Sequence, residues 1–224
     1  MTISTAMSRG FAKLSVLALT LAAVPALAAQ YKIDPAHSRI GFSVKHLMIS
    51  NVSGQFNEFE GTFNFDEKAG TVTDANFTAK ADSIDTGVTK RDEHLKSPDF
   101  FDTAKFPTLT LTNSKIKKAG KNKYKWTADL TMHGVTKPVT LDLEHTGTVK
   151  DPMAGVQRAG FKARGKINRR DFGLNWNKAM EAGGVVVGDE VMIELDAEAV
   201  EAAPTEPTKP AAEATPAGKP MEKK

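Results

Sequence analysis

The residues of this chain that could do chemistry are five histidines, a few adjacent carboxylates and one loop arginine. The histidines are His37, His46, His94, His133 and His145. No two stand four apart, as a zinc pair on one helical face would, and no His-x-His occurs. A metal site would need them to converge from separate elements. There is no cysteine, hence no thiolate nucleophile and no disulfide. No Gly-x-Ser-x-Gly elbow appears. Asp82 with Asp85, and Asp92 with Glu93, lie in or beside a loop and read as solvated charge rather than as a glycosidase pair. Gly183-Gly184 lacks the strand-to-helix setting of a phosphate cradle. Two groups remain. Arg91 can grip a phosphate or carbonyl head group with two parallel hydrogen bonds, and His94 can donate to a quinone-like ring. Each has a plainer role: Arg91 paired with Asp82, Asp85, Asp99 or Asp102 to pin its loop, and His94 as a satisfied structural histidine. Nothing demands catalysis. An enzyme acting on a lipid would have to use His94 or His37 as base.

Arg91 and His94 belong to a long connector, Ser83 to Phe106, in which two-residue alternation stops. Arg91, Asp92, Glu93 and His94 are mixed there with Leu95, Phe100, Phe101 and Phe106. A loop this long usually has a use, and charges crowded with large aromatics predict a lid over an apolar interior. Lys90 to Lys96 can form a helical turn or two. Ser97-Pro98 can open another, with Ser97 as N-cap.

Around the connector the dominant period is two, as in half-buried strands. Ile40, Phe42 and Val44 share one face. Val52, Gly54 and Phe56 are followed, one step out of phase, by Phe59, Gly61, Phe63 and Phe65, which predicts a β-bulge at Asn57-Glu58. Thr71 to Ile84, Thr108 to Ser114, Tyr124 to Met132, Val139 to His145, Phe161 to Ile167 and Val191 to Ala197 complete eight strands. A second long connector spans Arg170 to Gly188. No crossover helix fits between strands, so the sheet is antiparallel. Alternation alone admits a barrel or a sandwich; the predicted bulge with Gly54, Gly61 and Gly165 favours the curvature of a barrel.

The ends read differently. Residues 1–28 have the form of a secretory signal: Arg9 and Lys13, an apolar run Leu14 to Leu27, and a cut after Ala28. An exported fold without cysteine, and so without disulfides, must be held by its own core. Residues 200–224 are rich in Pro, Ala, Glu and Lys without aromatics, and predict a disordered tail. The formal net charge is +3. Loss of Arg9 and Lys13 with the signal brings it near +1, which argues against nucleic acid as a partner.

Bulky Phe42, Phe56, Phe63, Trp126 and Phe161 share the inward face with Ala79, Ala81, Ala128, Ala163 and Gly165. Such a mixture either packs solid or leaves room, and an eight-stranded barrel is wide enough for one elongated ligand. A cavity would be lined by Phe, Val, Leu and Trp and would suit a hydrocarbon chain.

The chain resembles the YceI-like family of exported polyisoprenoid-binding proteins. The resemblance lies in Asp34-x-x-His37-Ser38-x-Ile40-x-Phe42, Lys45-His46-Leu47, Val52-x-Gly54-x-Phe56, Thr86-Gly87, Arg91-Asp92, His94-Leu95 and Asp99-Phe100-Phe101-Asp102. It continues through Phe106-Pro107, Leu130 to Pro138, Arg170-Asp171-Phe172-Gly173 and Val187 to Val191. It covers residues 30–199; Met132-His133 departs mildly from the usual pattern. The resemblance implies a lipocalin-like barrel around an apolar tunnel, a bound isoprenoid or other lipid-like chain, and a periplasmic or secreted location. A quinone-like lipid also fits the expectation, and the residues themselves predict no metal and no other cofactor. The expected tunnel lining is Phe42, Val44, Phe56, Phe63, Phe77, Ala79, Ala81, Leu109, Leu111, Trp126, Leu130, Leu141, Phe161 and Ala163. Arg91, Asp92, His94, Phe100, Phe101 and Phe172 are the head-group or lid candidates. Carrier or store, with transient membrane contact, is the expected role. The alternatives are a lipid-modifying enzyme and a stress-related interaction module with a solid core.

Overall fold

The computed structural model describes residues 28–181 and 183–202. The expected signal, Ala28 apart, and the tail beyond residue 202 lie outside the described residues. The strands are β1 (Ala29–Ile33), β2 (Arg39–His46), β3 (Ser50–Phe56), β4 (Phe59–Asp66), β5 (Thr71–Lys80), β6 (Ile84–Asp85), β7 (Thr108–Gly120), β8 (Lys123–Met132), β9 (Val135–Lys150), β10 (Gln157–Asn168) and β11 (Val187–Glu201). One short helix, α1 (Thr89–Lys96), lies in the first connector. Strands β1, β4, β5, β7, β8, β9, β10 and β11 pair antiparallel in that order, and β11 returns to β1. Eight strands thus close the expected barrel.

The remaining three strands extend the wall at one end, here called the upper end. The long β11 carries β1 along its last residues, with Ile33 opposite Ala199, and β2 along its first, with Ile40 opposite Leu195. β3 pairs with β2 and β6. Three chain segments are therefore single long strands interrupted at mid-height: β1 and β2 at Asp34–Ser38, β3 and β4 at Asn57-Glu58, β5 and β6 at Ala81–Ser83. The ladder carries on across the breaks, with Lys80 N–H donating to Glu58 O (2.9 Å) and Asn57 N–H to Ser83 O (3.1 Å).

Several details differ from the sequence reading. Asn57-Glu58 is a break between strands with different partners, rather than a bulge within one. Phe56 faces Ile84, whereas Phe59 faces Ala79. The phase slip is what lets both halves keep their apolar residues inward. Ser97 ends α1 instead of starting a helix: its N–H and its hydroxyl both donate to His94 O. β1 is an additional strand, and β11 runs to Glu201, past the expected start of the tail.

The lower end is filled largely by aromatic side chains. Tyr31 stacks on Phe63, with ring centroids 5.6 Å apart. Phe161 stands edge-on to Phe63 and Phe65, and His145 packs against Phe65 at 4.8 Å. All five are buried. Trp126 lies just above, its indole N–H donating to Ser114 Oγ (2.9 Å), so its one polar atom is satisfied.

Candidate functional site

Above this aromatic plug the barrel is hollow. A cavity of about 150 Å³ lies between β2, β3, β5, β7, β8, β10 and β11 and is roofed by the two connectors. A second void, of about 30 Å³, lies in the plug below. Phe77 and Leu195 border both spaces, so they form the floor of one and the ceiling of the other. The floor exists because Phe77 lies across Gly61: a Cβ there would come within 2.4 Å of the ring.

Of the fourteen expected lining residues, Phe42, Val44, Phe56, Phe77, Ala79, Leu109, Leu111 and Leu130 face the upper cavity. Phe63, Trp126, Phe161 and Ala163 border the small void instead. Ala81 and Leu141 face neither and are packed in the wall. The small residues were expected to provide the room. Among them only Ala79 borders the cavity; Ala81 and Ala128 are buried in packing, and Gly165 lies under Leu141, where a Cβ would meet its side chain at 2.3 Å. They admit large neighbours. The space is instead bounded by aliphatics of β11, Val187, Val191, Ile193 and Leu195, with Ile40, Met132 and Ile167.

The first connector supplies Leu95, Phe100 and Phe101 to the cavity roof. It is locked by Thr86. Arg91 Nε donates to Thr86 Oγ1 (2.7 Å) and an Nη2 N–H to Thr86 O (2.8 Å), while Asp92 accepts from Thr86 N–H (2.9 Å) and from its hydroxyl. Arg91 thus pins its loop, but to a threonine and not to any of the four acids expected. Its Nη1 meets no protein acceptor among the described residues, and it sits one helical turn from the roof residue Leu95. His94 is held by Asp99, with Nε2 2.9 Å from Oδ2. It stands edge-on to both Phe100 and Trp176, at 5.0 Å each. Trp176 belongs to the second connector, so this aromatic trio ties the two halves of the roof together. Phe172 is fully buried in the core, away from the cavity lining. Its carbonyl accepts from His133 Nδ1–H (3.1 Å), which fixes that tautomer.

Arg169 is the residue that sequence reasoning missed. Among the described residues it is the one charged group bordering the cavity, and it is buried. Its guanidinium donates to Gly188 O (2.9 Å), Leu174 O (2.5 Å) and Trp176 O (2.9 Å), with Asp189 Oδ1 at 3.3 Å. One side chain therefore clamps both ends of the second connector. Burial lowers its pKa, and Asp189 opposes that shift. The signal was present: Phe161, Ala163, Gly165 and Ile167 continue in phase to Arg169, so the parity pointed inward.

His37 lies outside the barrel, against Asp34 (2.9 Å). Asp34, His37 and Glu198 converge, but Arg158 Nη1 already sits between the two carboxylates, 2.9 Å from Asp34 and 2.7 Å from Glu198. The cation of this cluster is a guanidinium.

Residues 31–199 match the YceI-like domain family. The chain belongs to the YceI-like family. One relative, the UPF0312 protein plu2095 of Photorhabdus laumondii, is 48% identical over 157 residues, covering 69% of this chain and 81% of its own. The crystal structure of the Campylobacter jejuni YCEI protein aligns with a TM-score of 0.60 at 33% identity, over 71% of this chain and 90% of that one. A polyisoprenoid binding domain from Saccharophagus degradans shares the fold, with a TM-score of 0.56 at 15% identity, over 78% of this chain and 99% of that domain. Both solved structures share the fold of this chain's antiparallel barrel.

Proposed function

We propose that the protein is an exported carrier or store for an isoprenoid or similar chain lipid, held tail-first in the upper cavity. The observation that carries this is an apolar cavity whose only charged neighbour among the described residues, Arg169, is already saturated by backbone carbonyls and Asp189. Such a wall offers a head group nothing and a hydrocarbon a good deal. The head then belongs at the roof, where Arg91 Nη1 is the uncommitted donor. The polyisoprenoid binding domain of the same fold points to the same ligand class.

A cavity of this volume fits a guest about the size of benzene. A long chain therefore enters only as Phe77 swings off Gly61 and the roof gives way. Affinity is modest for a second reason. Burying roughly 30 methylene groups at ~0.8 kcal/mol each would exceed the ~20 kcal/mol ceiling on binding. The tail's alternative, however, is a bilayer, which solvates it about as well as the barrel does. Exchange between membrane and protein is close to balanced, and that suits reversible transfer through transient membrane contact. The signal-like residues 1–28 support a periplasmic site of action.

Organic extraction of the purified protein, read by mass spectrometry, tests the proposal. A chain lipid recovered in near-stoichiometric amount is the expected result. Repeated extractions without one would sink the carrier reading. Turnover of an isoprenyl phosphate that disappears in His94→Ala would replace it with an enzymatic one.

A further inference from the structure

The hairpin between β2 and β3 turns on Leu47, Met48 and Ile49. Two-residue turns with positive φ at both centres are the province of Asn-Gly and Gly-Gly. Here Leu47 has φ of 48° and Met48 of 64°, in a turn closed by Ile49 N–H to His46 O (3.1 Å). Bulky side chains in this region are strained, and strain of this kind collects where function over-determines it. The side chains are also exposed: Met48 by 54% and Ile49 by 82%. So the tip carries both a backbone cost and an apolar exposure cost.

Its position is informative. Val187, on the cavity wall, pairs with His46 immediately before the tip, and Leu47 N–H donates to Val186 O (2.8 Å). The tip therefore crowns the upper end, at the edge of the roof. Met180 of the second connector comes close to it; its Cε and Met48 Cγ both lie within 3.3 Å of the Cβ position of Gly184. Val88, at the start of the first connector, is exposed as well. Exposed lysines Lys45 and Lys178 flank the patch and form no ion pair among the described residues, although Glu181 partly offsets them.

We propose that Leu47, Met48 and Ile49 form a wedge that inserts into a lipid bilayer and seats the cavity roof on the membrane surface. A protein partner fits less well. The tip is convex, and three side chains fall far below the ~800 Å² per partner of a stable interface. A bilayer needs no shape match. It takes up apolar side chains at its interface and tolerates lysines at head-group level. The lipid then passes between membrane and cavity without crossing water. This proposal rests on the lipid-carrier reading.

The test is flotation of the purified chain with phosphatidylcholine vesicles, with and without phosphatidylglycerol, beside the double variant Leu47→Asn/Met48→Gly. Asn-Gly suits the turn, so the variant is expected to melt at or above the parent temperature while its vesicle-bound fraction falls at least tenfold. The parent should float with phosphatidylcholine alone. Unchanged flotation of the variant, or parent binding that requires phosphatidylglycerol and vanishes with salt, overturns the wedge. So does parent dimerisation without vesicles that the variant loses, because the tip would then dock on a second copy. Lipid extraction from the same preparations separates the two ideas. A chain that floats but yields no lipid removes carriage alone, and one that yields lipid but does not float removes docking alone.

Discussion

Phe77 lies across Gly61 on the neighbouring strand, so close that a Cβ at position 61 would fall 2.4 Å from its ring. This contact divides the barrel interior into a cavity of about 150 Å³ and a void of about 30 Å³. The ring also meets Trp126, with centroids 5.3 Å apart. Phe77→Ala is expected to join the two spaces and to favour longer chains, at a cost of about 3 kcal/mol in urea unfolding. Gly61→Ala should cost about 1–3 kcal/mol by forcing the ring aside. A Phe77→Ala protein that extracts with the same chain lengths as the parent would show that the floor does not set length.

Ala79 borders the cavity and faces Leu109 across the ladder. Ala79→Trp should fill the space with little strain, below the ~1–3 kcal/mol typical of overpacking a solid core. The variant is expected to keep its fold by circular dichroism and to yield no lipid on extraction. The same substitution at Ala81, which is buried in the wall, should mainly destabilise.

Arg169 holds the roof. Arg169→Met leaves the carbonyls of Leu174, Trp176 and Gly188 without their donor. At about 1–3 kcal/mol for each group left buried, and with some relaxation, a total loss near 3 kcal/mol is expected. Hydrogen exchange should rise selectively across residues 173–186. Arg169→Lys should restore little, since one ammonium cannot span three carbonyls from both ends of a connector. Uniform loss of protection across the barrel would contradict a role confined to the roof.

Much of this was legible in the residues, and the misses have physical causes. Alternation identified the strands because one face of each is buried and the other wet, and the connector stood out because alternation ceased. β1 escaped because five residues offer only Tyr31 and Ile33 as an inward pair. The phase slip at Asn57-Glu58 was visible, but a slip within a strand and a break between two strands look alike until the partners are known. The cavity lining was half legible: parity says which residues point inward, yet height along the barrel decides whether they meet a space or a plug. Phe42 and Phe161 share the same pattern, and only the first borders the cavity. That Arg91 would bond Thr86 rather than an acid depends on loop geometry that spacing does not encode.

The barrel wall also carries an acid-sensitive cluster. Two backbone N–H groups, of Ala154 and Met153, together with the Arg158 guanidinium take the Asp151 pKa from 3.8 to about 2. Arg158 and then His37 lower that of Asp34. Both groups are depressed in the folded state, so their contribution is present above about pH 4 and is lost as pH falls toward 2. Arg158→Met raises both folded values and should move the acid-unfolding midpoint to higher pH while leaving neutral-pH ligand content unchanged. An unmoved midpoint would mean that the cluster does not report on folding.

The central claim is that a lipid tail lies in the upper cavity with its head at the roof. The chain has two tryptophans: Trp126, beside the Phe77 floor, and Trp176, in the roof against His94. Fluorescence quenching by a chain lipid carrying bromine at either its tail or its head, measured in Trp126→Phe and Trp176→Phe, reads orientation directly. Tail bromine is expected to quench Trp126 and head bromine to quench Trp176. Quenching of neither tryptophan, or the reversed pattern, would contradict the account.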